Sequence, residues 1–120
     1  MTLPLDTPSL REIRRLRILY RALADETRLR VISLLAEFGP MPVGELSTRV
    51  GLSQPLISWH LRILRVAGMI DTRKSGRETR CQLRIAAFEE LHEAEARLIS
   101  GTAGVESAPA GPHSEVPDVG

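Results

Sequence analysis

The chain of 120 residues is 42% apolar and 26% charged with a formal charge of +1, which fits one small folded domain and excludes two large ones. Its single cysteine closes no internal disulfide, its scattered histidines (His60, His92, His113) form no C-x-x-C type zinc pattern, and no apolar run approaches the roughly 18 residues of a membrane span. The expectation is a cytoplasmic protein with no membrane partner, and with Tyr20, Phe38, Trp59 and Phe88 as the only aromatics the core must come from Leu, Ile, Val and Ala in a mainly helical fold.

Residues 1–8 hold two prolines and no periodicity, and read as a flexible arm. From Ser9, a candidate N-cap, the spacing of Leu10, Ile13, Leu16, Tyr20 and Leu23 predicts a first helix to about Ala24. Asp25 can cap a second helix with the stripe Leu29, Ile32, Leu35 and Ala36, ended by Gly39-Pro40. Pro42 suits the first position of a short third helix, whose Val43, Leu46 and Val50 face inward before Gly51. After a turn of about three residues, Ser53 caps a fourth helix with Pro55 in its first turn and Ile57, Leu61 and Leu64 buried, up to Gly68. From Met69 to Arg84 the period moves toward two, with Ser75-Gly76 between the halves, which predicts a β-hairpin. Ile85 to about Ser100 is a fifth, amphipathic helix with Ala87, Phe88, Leu91, Ala94 and Leu98 on one face, and residues 101–120, rich in Gly, Pro, Ala and Ser, read as a disordered tail.

The near-zero total charge conceals a strong asymmetry. Five arginines stand against Glu12 between Leu10 and Arg21, seven cations against Asp71 and Glu78 between Ser53 and Arg84, and Arg97 alone against seven acids from Ile85 onward. Such a basic middle suits a polyanion, with solvated helix faces as the alternative on charge alone. A short helix, a tight turn, a Ser-capped helix and a basic hairpin describe a winged helix-turn-helix. With Ile57, Leu61 and Leu64 inward, the fourth helix presents Gln54, Pro55, Ser58, Trp59 and Arg62, with Ser53 at its start, toward a major groove; Gln suits adenine, Arg suits guanine or phosphate. Arg73, Lys74 and Arg77 around the hairpin tip would lie near the backbone or the minor groove. The stripes Leu10, Ile13, Leu16 and Phe88, Leu91, Leu98 have no obvious partner within the chain, which predicts a homodimer joined through helices 9–24 and 85–100.

Two stretches, Ala22-Leu23-Ala24-Asp25-Glu26-Thr27-Arg28-Leu29-Arg30-Val31-Ile32 and Leu52 to Ile70 with Ser53-Gln54-Pro55-Leu56-Ile57-Ser58-Trp59-His60-Leu61-Arg62 at its head, resemble the arsenical-resistance-repressor (ArsR/SmtB) family of bacterial winged-helix transcription factors. Gly76-Arg77 is similar to the family's wing tip, and the likeness covers about Leu10 to Leu98. It implies a homodimer reading a pseudo-palindromic operator in double-stranded DNA, usually as a repressor released by an inducer. It also implies base contacts for Gln54 and Ser58, whereas Pro55 stands where a small hydroxyl residue is common and Trp59 where Arg or His is frequent. Trp59 suggests apolar contact with a thymine methyl or a sugar, or else a partly buried ring beside the wing. His60 matches a common His and is read as a buried, hydrogen-bonded orienting group.

The family's metal sites are absent from this reading. Pro42 and Gly44 occupy the places of thiolate ligands, and Ala87, Leu98 and Gly101 those of ligands on the last helix. No metal and no cofactor is therefore expected, with an atypical site around His92, Glu93 and Glu95 as the alternative. Cys81 reads as a small strand residue, since a thiol switch usually needs a second Cys. No paired carboxylates, activated nucleophile or phosphate loop appears, which argues against an enzyme. The remaining alternative is a winged-helix module that binds a protein, and a small molecule or a partner protein remains as effector.

Overall fold

The computed structural model describes residues 8–100, so the expected arm, Pro8 apart, and the expected tail 101–120 lie outside the described residues. Eight elements follow in order: α1 (Leu10–Leu23), α2 (Glu26–Phe38), β1 (Met41–Pro42), α3 (Val43–Val50), α4 (Gln54–Val66), β2 (Ile70–Ser75), β3 (Glu78–Leu83) and α5 (Ile85–Ile99). This is a mainly helical winged helix-turn-helix with five helices. Ser9 and Glu12 close a reciprocal capping box at α1, Asp25 accepts the Arg28 amide at 3.0 Å to start α2, and Ser53 caps α4.

The hairpin is longer by one strand than the period-two reading predicts. β1 pairs antiparallel with β3 through Met41 and Cys81, giving a sheet of order β1-β3-β2. Two residues carry no periodicity, so β1 is invisible in sequence, and Pro42 caps α3 rather than entering it. β2 and β3 pair from Ile70–Leu83 out to Ser75–Glu78 and turn over Gly76-Arg77.

One core joins all the helices and the sheet. Leu19, Val31, Leu46, Ile57, Leu64, Met69, Ile70 and Cys81 are fully buried. The expected stripes of α3 and α4 coincide with the buried faces, but two others are displaced. In α1 the buried residues are Leu16, Leu19 and Ala22, while Leu10, Ile13 and Tyr20 are exposed. In α2 Val31 and Leu35 are buried with Arg28, and Leu29 and Ala36 face out.

Three arginines fasten the helices end to side. Arg28 donates to the carbonyls of Ala22 (2.7 Å) and Arg21 (3.3 Å) at the C-terminus of α1. Arg30 donates to Val50 O (3.4 Å) at the end of α3, and Arg15 to Ala67 O (2.9 Å) beyond α4. Helix C-termini leave carbonyls unpaired and carry partial negative charge, so a guanidinium satisfies both needs at once. Arg15 also pairs with Glu90, Arg97 with Glu12, and Tyr20 donates to Glu95, which together bind α5 to α1.

Candidate nucleic-acid interface

The α3–α4 turn sets the presentation of α4. Gly51 and Leu52 both donate backbone hydrogen bonds to Ser47 O, so the chain reverses in a few residues and Ser53 begins the next helix. With Ile57, His60, Leu61 and Leu64 inward, Ser53, Gln54, Pro55, Ser58, Trp59 and Arg62 are all exposed. Trp59 is 55% exposed, open on one side to solvent. The side chain of Gln54 rests on Gly44, where a methyl group would come within 3.1 Å of Nε2. Thus α3 supports the first residue of the exposed face.

A groove of about 970 Å³ separates this face from the wing. It brings Gln54, Pro55, Ser58, Trp59 and Arg62 together with Arg77, as the spacing predicts. Arg65, which the sequence reading did not single out, lines it too, and its position three residues after Arg62 on the same face was the available signal. Glu45 and Glu78 also reach it, the former paired with Arg49 at 2.9 Å. Arg73 and Lys74 are not in this groove. They line a separate concavity with Arg80, a second residue that the sequence reading passed over and that strand alternation could have placed.

Behind the exposed face lies His60, 7% exposed, whose Nδ1 accepts from Arg28 Nη1 at 3.1 Å, since a guanidinium only donates. Its ring also meets that of Trp59 edge to face at 5.1 Å. Arg28 thus links the end of α1 to the middle of α4. Asp25 stands 3.7 Å from the same His60 nitrogen, and the Arg28 amide, against some desolvation, holds its carboxyl below the usual range.

The residues expected at a dimer interface divide. Leu10 (60%), Ile13 (43%) and Leu98 (47%) are exposed, and Ile13 and Leu98 line an apolar concavity of about 370 Å³ with Leu16, Tyr20 and Ala24. Leu16 and Leu91, expected to lack an intrachain partner, are buried in the chain's own core; Phe88 packs half-buried against it. Their partner is the α1–α5 contact, which the sequence reading reserved for a second chain.

The donor sets offer little to a metal. Among the described residues no three His, Cys, Asp or Glu side chains cluster as ligands. Pro42 and Gly44 have no side-chain donor atoms, and His92, largely exposed, meets Glu95 at 3.4 Å. Cys81 is fully buried, and burial pushes its thiol up to about 11 against the opposing charge of Arg65. Among the described residues no helix is long and apolar enough to cross a membrane.

The profile of the family described as bacterial regulatory protein, arsR family, matches residues 25–72. The arsenical resistance operon repressor of Escherichia coli (strain K12) is 48% identical over 59 residues, 49% of this chain and 50% of its own length. The chain spans about half the length of the curated relatives it matches. Solved structures align more fully. HlyU from Vibrio cholerae N16961 is 32% identical, with 77% of this chain and 99% of HlyU covered and a TM-score of 0.62. The ArsR-like transcriptional regulator from Rhodococcus sp. RHA1 is 26% identical, with 76% and 85% covered and a TM-score of 0.69. HlyU is described as a transcriptional activator, and these relatives are regulators rather than enzymes. Since one of them is matched over nearly its whole length at 32% identity, and the profile falls on the turn and the capped helix that build the groove, the chain belongs to the ArsR family of bacterial transcriptional regulators.

Proposed function

We propose that the chain binds double-stranded DNA in a sequence-specific manner as a homodimer, places α4 of each protomer in a major groove of a pseudo-palindromic operator, and represses transcription. The observation that carries this reading is the single groove in which Gln54, Ser58, Trp59 and Arg62 of α4 face Arg77 of the wing. A helix bordered by a cationic ribbon fits a major groove and its phosphates. Gln54 pairs with an adenine edge, Ser58 with a base edge or phosphate, Arg62 with guanine or phosphate, and Trp59 covers a thymine methyl or a sugar. Ser53 and Pro55 border the backbone, and Arg73, Lys74 and Arg77 add charge. Exposed Leu10, Ile13 and Leu98 support the dimer. No metal or cofactor takes part, so the effector is a small molecule or a partner protein.

Selection from a random duplex library tests this, and an inverted repeat is the expected consensus. Gln54→Ala should lose roughly 1–3 kcal/mol on the selected duplex and little on random DNA. Arg77→Ala should weaken both and flatten the salt slope by about one per half-site. Equal proportional losses in the two variants would refute the division of roles. Zinc, nickel and arsenite should leave binding unchanged; a tenfold change abolished by His92→Ala would overturn the metal-free reading.

A further inference from the structure

We infer that His60 and Arg28 are positioning residues for Trp59: the imidazole, fixed from behind by the guanidinium, holds the indole on the exposed face of α4, so that one operator position is read by the 5-methyl group of its thymine. This deepens the DNA-binding function proposed above and rests on it. Neighbouring residues of a helix stand about 100° apart around its axis. Here that angle divides two rings, His60 being 7% exposed and Trp59 55%. Their centroids are 5.1 Å apart and their planes 74°, the edge-to-face arrangement that aromatic pairs favour.

The order in which these groups hold one another follows from their chemistry. A guanidinium only donates, so the 3.1 Å contact of Arg28 Nη1 with His60 Nδ1 leaves no proton on that nitrogen and places the proton of the neutral ring on Nε2. Asp25 Oδ2, 3.7 Å from the same nitrogen, accepts the backbone amide of Arg28. Arg28 cannot follow the imidazole outward, because its Nε donates to Ala22 O at 2.7 Å. The imidazole is therefore pinned, whereas the side chain of an exposed residue chooses among several staggered wells. Contact with the pinned ring narrows that choice for the indole. A methyl contact needs carbon atoms within about 4.0–4.5 Å, and a change of rotamer carries the indole out of that range.

The test replaces each thymine of the selected half-site in turn by uracil, which removes only the methyl group, and measures affinity by fluorescence anisotropy of the labelled duplex. In the wild type one thymine per half-site should carry a loss of about fourfold, the worth of one buried methyl group. Trp59→Ala and His60→Gln should both bring that thymine-to-uracil ratio to about one. The glutamine keeps an acceptor for Arg28 and drops the ring, so affinity for the uracil duplex should stay within about twofold of wild type. A change that only destabilised the fold would lower both duplexes alike and leave the ratio intact. A ratio lost in Trp59→Ala but kept in His60→Gln overturns the positioning. A wild type indifferent to every thymine methyl, or a ratio that survives Trp59→Ala, overturns the role of Trp59, while binding to the selected duplex still upholds the function. If His60→Gln fails to fold, the wild type decides. Trp59 is the only tryptophan, so time-resolved fluorescence anisotropy follows this indole alone. It should turn with the whole molecule, and a large component of independent rotation on the nanosecond scale overturns the positioning. Absence of binding to every duplex would remove both readings.

Discussion

Arg28 carries more of this structure than its place in a run of charged residues suggests. Arg28 is 9% exposed, and its guanidinium donates to acceptors that burial would otherwise strand, the Ala22 carbonyl and the imidazole of His60, besides the Arg21 carbonyl that the Ala24 amide also reaches. Removing it leaves the Ala22 carbonyl and the His60 nitrogen without this donor, and hydrogen bonds to a charged group contribute about 1.5–3 kcal/mol each, net of water. Arg28→Ala should therefore cost about 2–4 kcal/mol in urea denaturation, and Arg28→Lys most of that, because one ammonium cannot replace the fork. A loss below about 0.5 kcal/mol would show that water substitutes freely. Cys81 acts in the opposite sense, since it is buried and unneeded as an ion. Its folded thiol titrates near 11 against an ordinary 9.0, so the stability it contributes is complete below pH 9 and is lost as pH rises toward 11. Comparing wild type with Cys81→Ala across that window should give a steeper alkaline decline for the wild type, and parallel curves would refute the shift. In the native protein at pH 8 the thiol should react slowly with a disulfide reagent and rapidly after unfolding.

Among the elements, legibility followed the length of the periodic signal. α4 offered three well-spaced apolar residues, a Ser cap and an early Pro, and Ile57, Leu61 and Leu64 are buried as their spacing requires. The exposed face of α4 could then be read by subtraction, and with it most of the groove. In α1 two stripes compete, and the side that turns inward is decided by α5, 75 residues away, through Arg15–Glu90 and Tyr20–Glu95. No local pattern encodes that choice, and the same ignorance assigned Leu16 and Leu91 to a second chain. β1 was missed because its pairing partner, β3, is remote and its length is two residues. The breaks between helices were legible from glycine, but two of these glycines differ. Gly51 sits at φ 79°, ψ 30°, a left-handed conformation that Asn also adopts, whereas Gly39 sits at φ 79°, ψ −167°, a region essentially closed to other residues. Neither position has an atom within 4 Å of an added Cβ, so space is not the obstacle at either. Gly51→Asn should be nearly neutral in thermal unfolding and Gly39→Asn should cost about 1–3 kcal/mol. Equal costs at the two sites would mean that the loop around Gly39 relaxes.

At the scale of the whole molecule, charge that looks uniform along the chain is divided among three tasks. Arg15, Arg28 and Arg30 hold helix ends, Arg62, Arg65 and Arg77 line the groove between α4 and the wing, and Arg73, Lys74 and Arg80 line the separate concavity of the wing. The exposed apolar side chains of α1 and α5 form the remaining surface that asks for a partner. If it is a second copy, Ile13→Glu with Leu98→Glu should give a folded monomer by light scattering at micromolar concentration and lose affinity for a two-half-site duplex far more than for a single half-site. An unchanged dimer would place the interface elsewhere.

The three arginine fastenings also govern how the molecule opens. Each ties the frayable last turn of one helix to the side of another, so the end of α1 cannot loosen without releasing His60, and the end of α4 cannot loosen without releasing Arg15 from α1. Helix ends normally exchange their amide hydrogens with solvent well before helix middles, through small local openings. Here the last amides of α1 and α4 should exchange together with the core amides around Leu19 and Leu64, at the free energy of global unfolding. In Arg28→Lys the end of α1 should uncouple and exchange early while the core stays protected. If α4 reads DNA as proposed, its C-terminal half should then stay seated until the whole domain opens.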